Sequence, residues 1–75
     1  MNIFIDTCAF IALIDSDDEY NFIAAELFKK ATKVSEKFFT SNYIMLETIF
    51  LLQRKLGLPA VNDFRKFMLP IINMI

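Results

Sequence analysis

The segment NIFID at residues 2–6 is β-prone and apolar without alternation up to its terminal acid. That is the pattern of a strand buried on both faces. From Cys8 to Ile14 the run CAFIALI is apolar nearly all round and predicts a short buried helix, stopped by the polar stretch Asp15 to Asp18. SDDE at 16–19 has the form of a capping box, with Ser16 as N-cap and Glu19 three residues on. It predicts a second helix over 17–33, in which Phe22, Ile23, Leu27 and the aliphatic stem of Lys30 recur at helical spacing.

KFFTS at 37–41 predicts a second short strand, after which Ser41 or Asn42 caps a long helix through Leu56. Gly57 stands where a left-handed residue ends a helix. Pro59 suits the first turn of another helix, over AVNDFRKFML, and Pro70 breaks it. IINMI is then a third β-prone run. The resulting order, β-α-α-β-α-α-β with short connections, predicts an α/β fold with three layers, a short parallel sheet between helices.

Composition sharpens this picture in one respect. With 75 residues the chain is one small domain, yet 56% of it is hydrophobic, with nine Phe and one Gly. A domain of this size buries only about 60% of the surface its unfolded chain exposes. The expectation is therefore a dense core together with apolar surface for a partner to cover. The longest apolar stretch, YIMLETIFLL, is too short for a bilayer and contains Glu47, and no signal-peptide pattern follows Met1. The chain reads as soluble and cytoplasmic, with no membrane partner.

Charge and cysteine content narrow the chemistry. A net charge of −1 provides no global basic field for nucleic acid. The local basic groups, Lys29, Lys30 and Lys33, Arg54 and Lys55, and Arg65 and Lys66, suit solvated faces and final turns of helices. The single Cys8 excludes an internal disulfide, and its apolar surroundings predict a small core residue. With no His in the chain, a bound metal would have to be held by oxygen ligands.

Two acids stand out. Asp6 ends the first strand, on the rim where open parallel sheets gather ligands. It also suits the N-cap of the following helix, a role that Ser or Asn would serve equally. Glu47 is the lone acid in NYIMLETIFLLQRK, in the second turn of a helix that begins at the same rim. Each alone has an ordinary structural reading. Together they predict a shared site for Mg²⁺, which commonly takes one or two protein carboxylates plus waters and substrate phosphate. Asp15, Asp17, Asp18 and Glu19 lie at the far end of the first helix, about 15 Å away by helical rise. Glu26 and Glu36 read as solvated, and Asp63 as a surface residue.

IFIDTCAFIAL, followed by TSNYIMLETIFLLQRKLG after a short strand, resembles the amino-terminal part of PIN domains, especially the VapC-type toxins of toxin–antitoxin pairs. The resemblance implies a Mg²⁺- or Mn²⁺-dependent endoribonuclease whose carboxylates hold metal that activates water against an RNA phosphodiester. It places Asp6 and Glu47 as catalytic metal ligands and Thr7 as an auxiliary catalytic residue. It also implies an RNA substrate, an antitoxin partner and a homo-oligomer, such as a dimer.

PIN domains are longer, and their remaining acidic ligands come from a fourth strand–helix region. Residues 1–75 thus read as one PIN-like domain lacking the carboxyl-terminal part of the fold, with an open edge on the first strand and weak or absent activity alone. Haloacid-dehalogenase-like phosphatases also place an Asp after the first strand, but they need a second Asp where this chain has Cys8. A different class of function, a non-catalytic remnant serving self-association or antitoxin binding, is the competing expectation.

Overall fold

The three β-prone runs lie side by side in a parallel sheet of order β1-β2-β3, formed by Asn2–Phe4, Lys37–Thr40 and Ile72–Met74. In this computed structural model, which describes residues 2–34 and 36–75, Ile3 is opposite Phe38 and Phe38 is opposite Ile72. The helices between strands are α1 (Thr7–Ile14), α2 (Asn21–Lys33), α3 (Asn42–Leu56) and α4 (Leu58–Phe67), with a 3₁₀ turn at Leu69–Ile71. This is the α/β order that the hydrophobic pattern predicts. Among the described residues, no helix is long and apolar enough to cross a membrane.

The core forms where α1, α3 and α4 meet the sheet. Phe10, Leu52 and Phe64 are fully enclosed, and Ile5, Phe38, Met45, Val61, Met68 and Ile72 complete the cluster. Phe10 meets Phe64 edge to face with ring centroids 5.1 Å apart, and Phe28 of α2 stacks on Phe38 at 4.8 Å. Burying one such side chain contributes about 1.5–3 kcal/mol. Gly57 joins α3 to α4 at φ +87° and ψ −178°. That backbone region is open essentially to glycine alone. Its amide bonds the carbonyls of Leu52 and Gln53, and Pro59 sits in the first turn of α4 as predicted.

Several expectations need correction. β1 lies at the edge of the sheet as expected, but it is not buried on both faces, and Phe4 is 54% exposed. Cys8 is exposed rather than in the core, because its position on α1 faces away from the sheet-side residues Phe10 and Ala12. In α2 the residues read as its apolar stripe, Phe22, Ile23 and Leu27, face solvent, whereas Phe28 and Ala31 pack on the core. Glu26 and Glu36 are half-buried rather than solvated.

The predicted start of the second helix also moves, from residue 17 to Asn21. No capping box forms at Ser16. Instead Asp15 accepts the amide of Asp17 and Asp18 accepts the amide of Tyr20, at 3.0 and 2.8 Å. Short acids bond their neighbours' backbone and compete with helix there. Asn21 then donates its side-chain amide to the Ala12 carbonyl at 2.7 Å. That bond satisfies one of the carbonyls left open at the end of α1.

Candidate functional site

Two strand–helix junctions meet at the carboxyl end of the sheet. The first runs from β1 through Asp6 into α1. Asp6 has an extended backbone, and its Oδ1 accepts the Ala9 amide at 3.1 Å, so it is the N-cap of α1. Its carboxylate is exposed. The second junction runs from β2 through Ser41 into α3, where the Ser41 hydroxyl accepts the Ile44 amide at 3.2 Å. Ser41, of the two residues considered from the sequence, is the cap. Each helix thus starts at a fixed point just beyond its strand.

These two starts bring together residues forty positions apart. Thr7, the first residue of α1, donates its hydroxyl to Glu47 Oε1 at 2.5 Å. Glu47 is half-buried in the second turn of α3. Of the three predicted site residues, Thr7 and Glu47 are in direct contact. Asp6 adjoins Thr7 in the chain, but its hydrogen bond goes to Ala9.

Beneath them is a residue that sequence reasoning missed. Thr40, fully buried at the end of β2, donates its hydroxyl to the Ile5 carbonyl at 2.9 Å. This bond ties the last turns of both strands together directly below Asp6 and Ser41. The available signal was a polar residue ending an apolar strand, in register with the residue before Asp6.

The donor chemistry suits a hard cation. Asp6 uses Oδ1 for its cap and Glu47 uses Oε1 for Thr7, which leaves Asp6 Oδ2 and Glu47 Oε2 outside those bonds. Carboxylate oxygens of this kind match Mg²⁺ or Mn²⁺ rather than softer metals. Among the described residues, no group of three or more His, Cys, Asp or Glu side chains gathers closely enough to form a complete cage. An open groove of about 830 Å³ runs from Asp6 and Cys8 past Ile23 to Asp17, Asp18 and Glu19. Of the acids placed at the far end of the first helix, Asp17, Asp18 and Glu19 therefore line the same groove as Asp6.

At that far end a second polar contact spans α1 and α3. Asp15, only 3% exposed, accepts the Lys55 ammonium at 2.9 Å. The Lys55 hydrogen bond, with help from the Asp17 amide, holds the Asp15 carboxyl below its ordinary value. In return the Asp15 carboxylate raises Lys55 above the ordinary lysine value. No local pattern marks this pair, since it joins two segments that read as separate polar surfaces.

Comparison with known proteins places the fold. Residues 3–73 match the model of the PIN domain family. Among solved structures, the chain resembles Mycobacterium tuberculosis VapC20, a toxin that cleaves the sarcin-ricin loop, at a TM-score of 0.81 and 25% identity. The match covers 96% of this chain and 54% of VapC20, so the chain spans about half the length of that protein. No curated protein matches.

Proposed function

The chain belongs to the PIN domain family, and from that premise we propose that it carries the carboxylate site of a metal-dependent endoribonuclease of VapC type. Asp6 and Glu47 are the residues that would hold Mg²⁺ or Mn²⁺, through the oxygens that the cap and Thr7 leave available. Such an ion, when bound, neutralises charge on a phosphodiester and supplies activated water. Thr7 is a positioning residue: its hydroxyl fixes the Glu47 carboxylate against the first turn of α1. Thr40 holds the two strand ends at constant separation beneath the site.

The observation that carries this reading is the hydrogen bond between Thr7 and Glu47, which joins the two strand–helix junctions at one rim. The substrate in this reading is RNA. An antitoxin, a second copy of the chain and a cytoplasmic setting belong to the same proposal, in keeping with the toxin character of VapC20. Residues 1–75 are read as one domain that carries this amino-terminal share of the site. A second reading, a non-catalytic interaction module, is favoured by the number of large apolar side chains on the surface, including Phe22, Tyr43, Leu46 and Phe67.

Mn²⁺ titration followed by calorimetry separates the readings. The ribonuclease reading expects saturable binding that is lost in both Asp6→Asn and Glu47→Gln. Equal affinity in the parent and both variants would falsify the metal site. Mn²⁺-dependent RNA cleavage that disappears in Asp6→Asn would overturn the interaction-module reading.

A further inference from the structure

Helix α3 turns both of its aromatic rings to solvent. Its buried side is formed by Met45, Thr48 and Leu52, whereas Tyr43 is 72% and Phe50 58% exposed. At about 100° and 1.5 Å per residue, Tyr43, Phe50 and Arg54 fall within about 40° of one another around the helix axis. Glu47 stands about 40° from Tyr43 on the same side. Along the axis it lies between the rings, about 6 Å beyond Tyr43 and about 4.5 Å before Phe50. The aromatic pair therefore flanks a carboxylate of the candidate site.

A cation accompanies the rings. The Arg54 guanidinium lies over Phe50, 5.6 Å from the ring centroid. Among the described residues Arg54 forms no salt bridge, whereas its neighbour Lys55 is bound to Asp15. Exposed π-faces next to an uncommitted guanidinium match the chemistry of an unpaired nucleotide chain. Its bases stack on aromatic rings and Arg planes, and its phosphates take the positive charge. An aliphatic partner surface would call for neither. Leu46, the most exposed aliphatic residue of α3, lies about 100° around the axis from Glu47, beyond the rings.

We propose that Tyr43 and Phe50 are base-stacking residues that seat unpaired RNA along α3, with one nucleobase on each side of the phosphate held at Asp6 and Glu47. It rests on the ribonuclease reading for the phosphate, and on the exposed rings and Arg54 for the bases. Paired bases keep their faces inside the duplex, so the two rings select loops and single strands.

The test mixes the 75-residue chain with a short single-stranded RNA carrying 2-aminopurine, in Mg²⁺, and reads fluorescence by stopped flow before any cleavage. Stacking is expected to quench the fluorophore, and the same RNA in a duplex is expected to give no change. Tyr43→Leu and Phe50→Leu keep apolar area but remove the ring faces. Each is expected to weaken the titration roughly tenfold, with melting temperature and Mn²⁺ affinity at the parent values. Tyr43→Phe and Leu46→Ser are expected to quench as the parent does. Equal quenching by the duplex, or quenching undiminished in both Leu variants, overturns the proposal. Absence of quenching overturns it too, and Mn²⁺ binding intact in the same chain leaves the ribonuclease reading standing. Quenching that the Leu variants lose, in a chain that binds no Mn²⁺, upholds the stacking and overturns the metal site instead. A dimer of the chain alone that Leu46→Ser dissociates, with no quenching by RNA, overturns the proposal in favour of a second copy.

Discussion

Helix α1 is fastened to α3 at both ends, and the two fastenings differ in kind. Thr7 and Asp15 stand eight residues apart on one side, Glu47 and Lys55 eight apart on the other. At the first end a neutral hydroxyl meets Glu47, and the exposed Asp6 adjoins it. At the second end Asp15 is buried, with Oδ1 on the Asp17 amide and Oδ2 on the Lys55 ammonium. Both ends contain carboxylates of ordinary type. One has both oxygens engaged by the protein and acts as a brace, while the other retains oxygens outside the protein's own bonds, the ones the proposed cation would use.

The severest way to break this contrast is to remove what lies between the ends. Phe10→Ala empties the centre of the α1–α4 contact and is expected to cost about 3–5 kcal/mol, read by urea unfolding. In so small a domain both fastenings go with it.

Lys55→Met separates the ends. It leaves Asp15 buried without its cation, so a clear fall in melting temperature is expected, second only to Phe10→Ala. Mn²⁺ affinity, in contrast, should stay at the parent value. Glu47→Gln is expected to give the reverse pattern, with Mn²⁺ binding lost and melting temperature unchanged or raised, since functional groups are often stability liabilities. A shared response of both properties to either substitution would erase the distinction drawn here.

Thr7→Val has a smaller expected effect. Removing an orienting partner commonly costs roughly 10-fold or more in metal affinity, and calorimetric titration checks it. Loss of affinity with an unchanged melting temperature marks Thr7 as positioning rather than bracing.

The pH response sharpens the second end alone. Asp15 titrates below its ordinary 3.8, so its contribution is complete above that value and is lost as acid approaches the lowered one. Lys55 titrates above its ordinary 10.5, so its contribution is complete below 10.5 and is lost as pH rises through the raised value. The melting-temperature difference between parent and Lys55→Met should therefore be flat between about pH 4 and 10 and narrow at both extremes. A difference that varies across neutral pH would contradict the assignment.

Much of the fold was legible because local rules sufficed. Ser41 and Gly57 bound α3 where a cap and a positive φ are wanted, and Asp6 caps α1 as its position before an apolar run allows. The reading failed where competing local bonds or nonlocal packing decided. Asp15 and Asp18 took neighbouring amides and delayed α2 to Asn21. The apolar residues of α2 met no layer on one side, so Phe22 and Leu27 stayed exposed despite helical spacing.

The candidate site divides along the same line. That Asp6 and Glu47 are out of place, one ending an apolar strand and the other alone in an apolar helix, was written in the sequence. Hydropathy marks an anomalous residue from its neighbours alone. Which acid keeps a free oxygen and which is consumed by a lysine was decided only by the tertiary structure. Hydrogen-bond saturation depends on groups forty residues away, and α1 and α3 meet only once the sheet has paired β1 with β2.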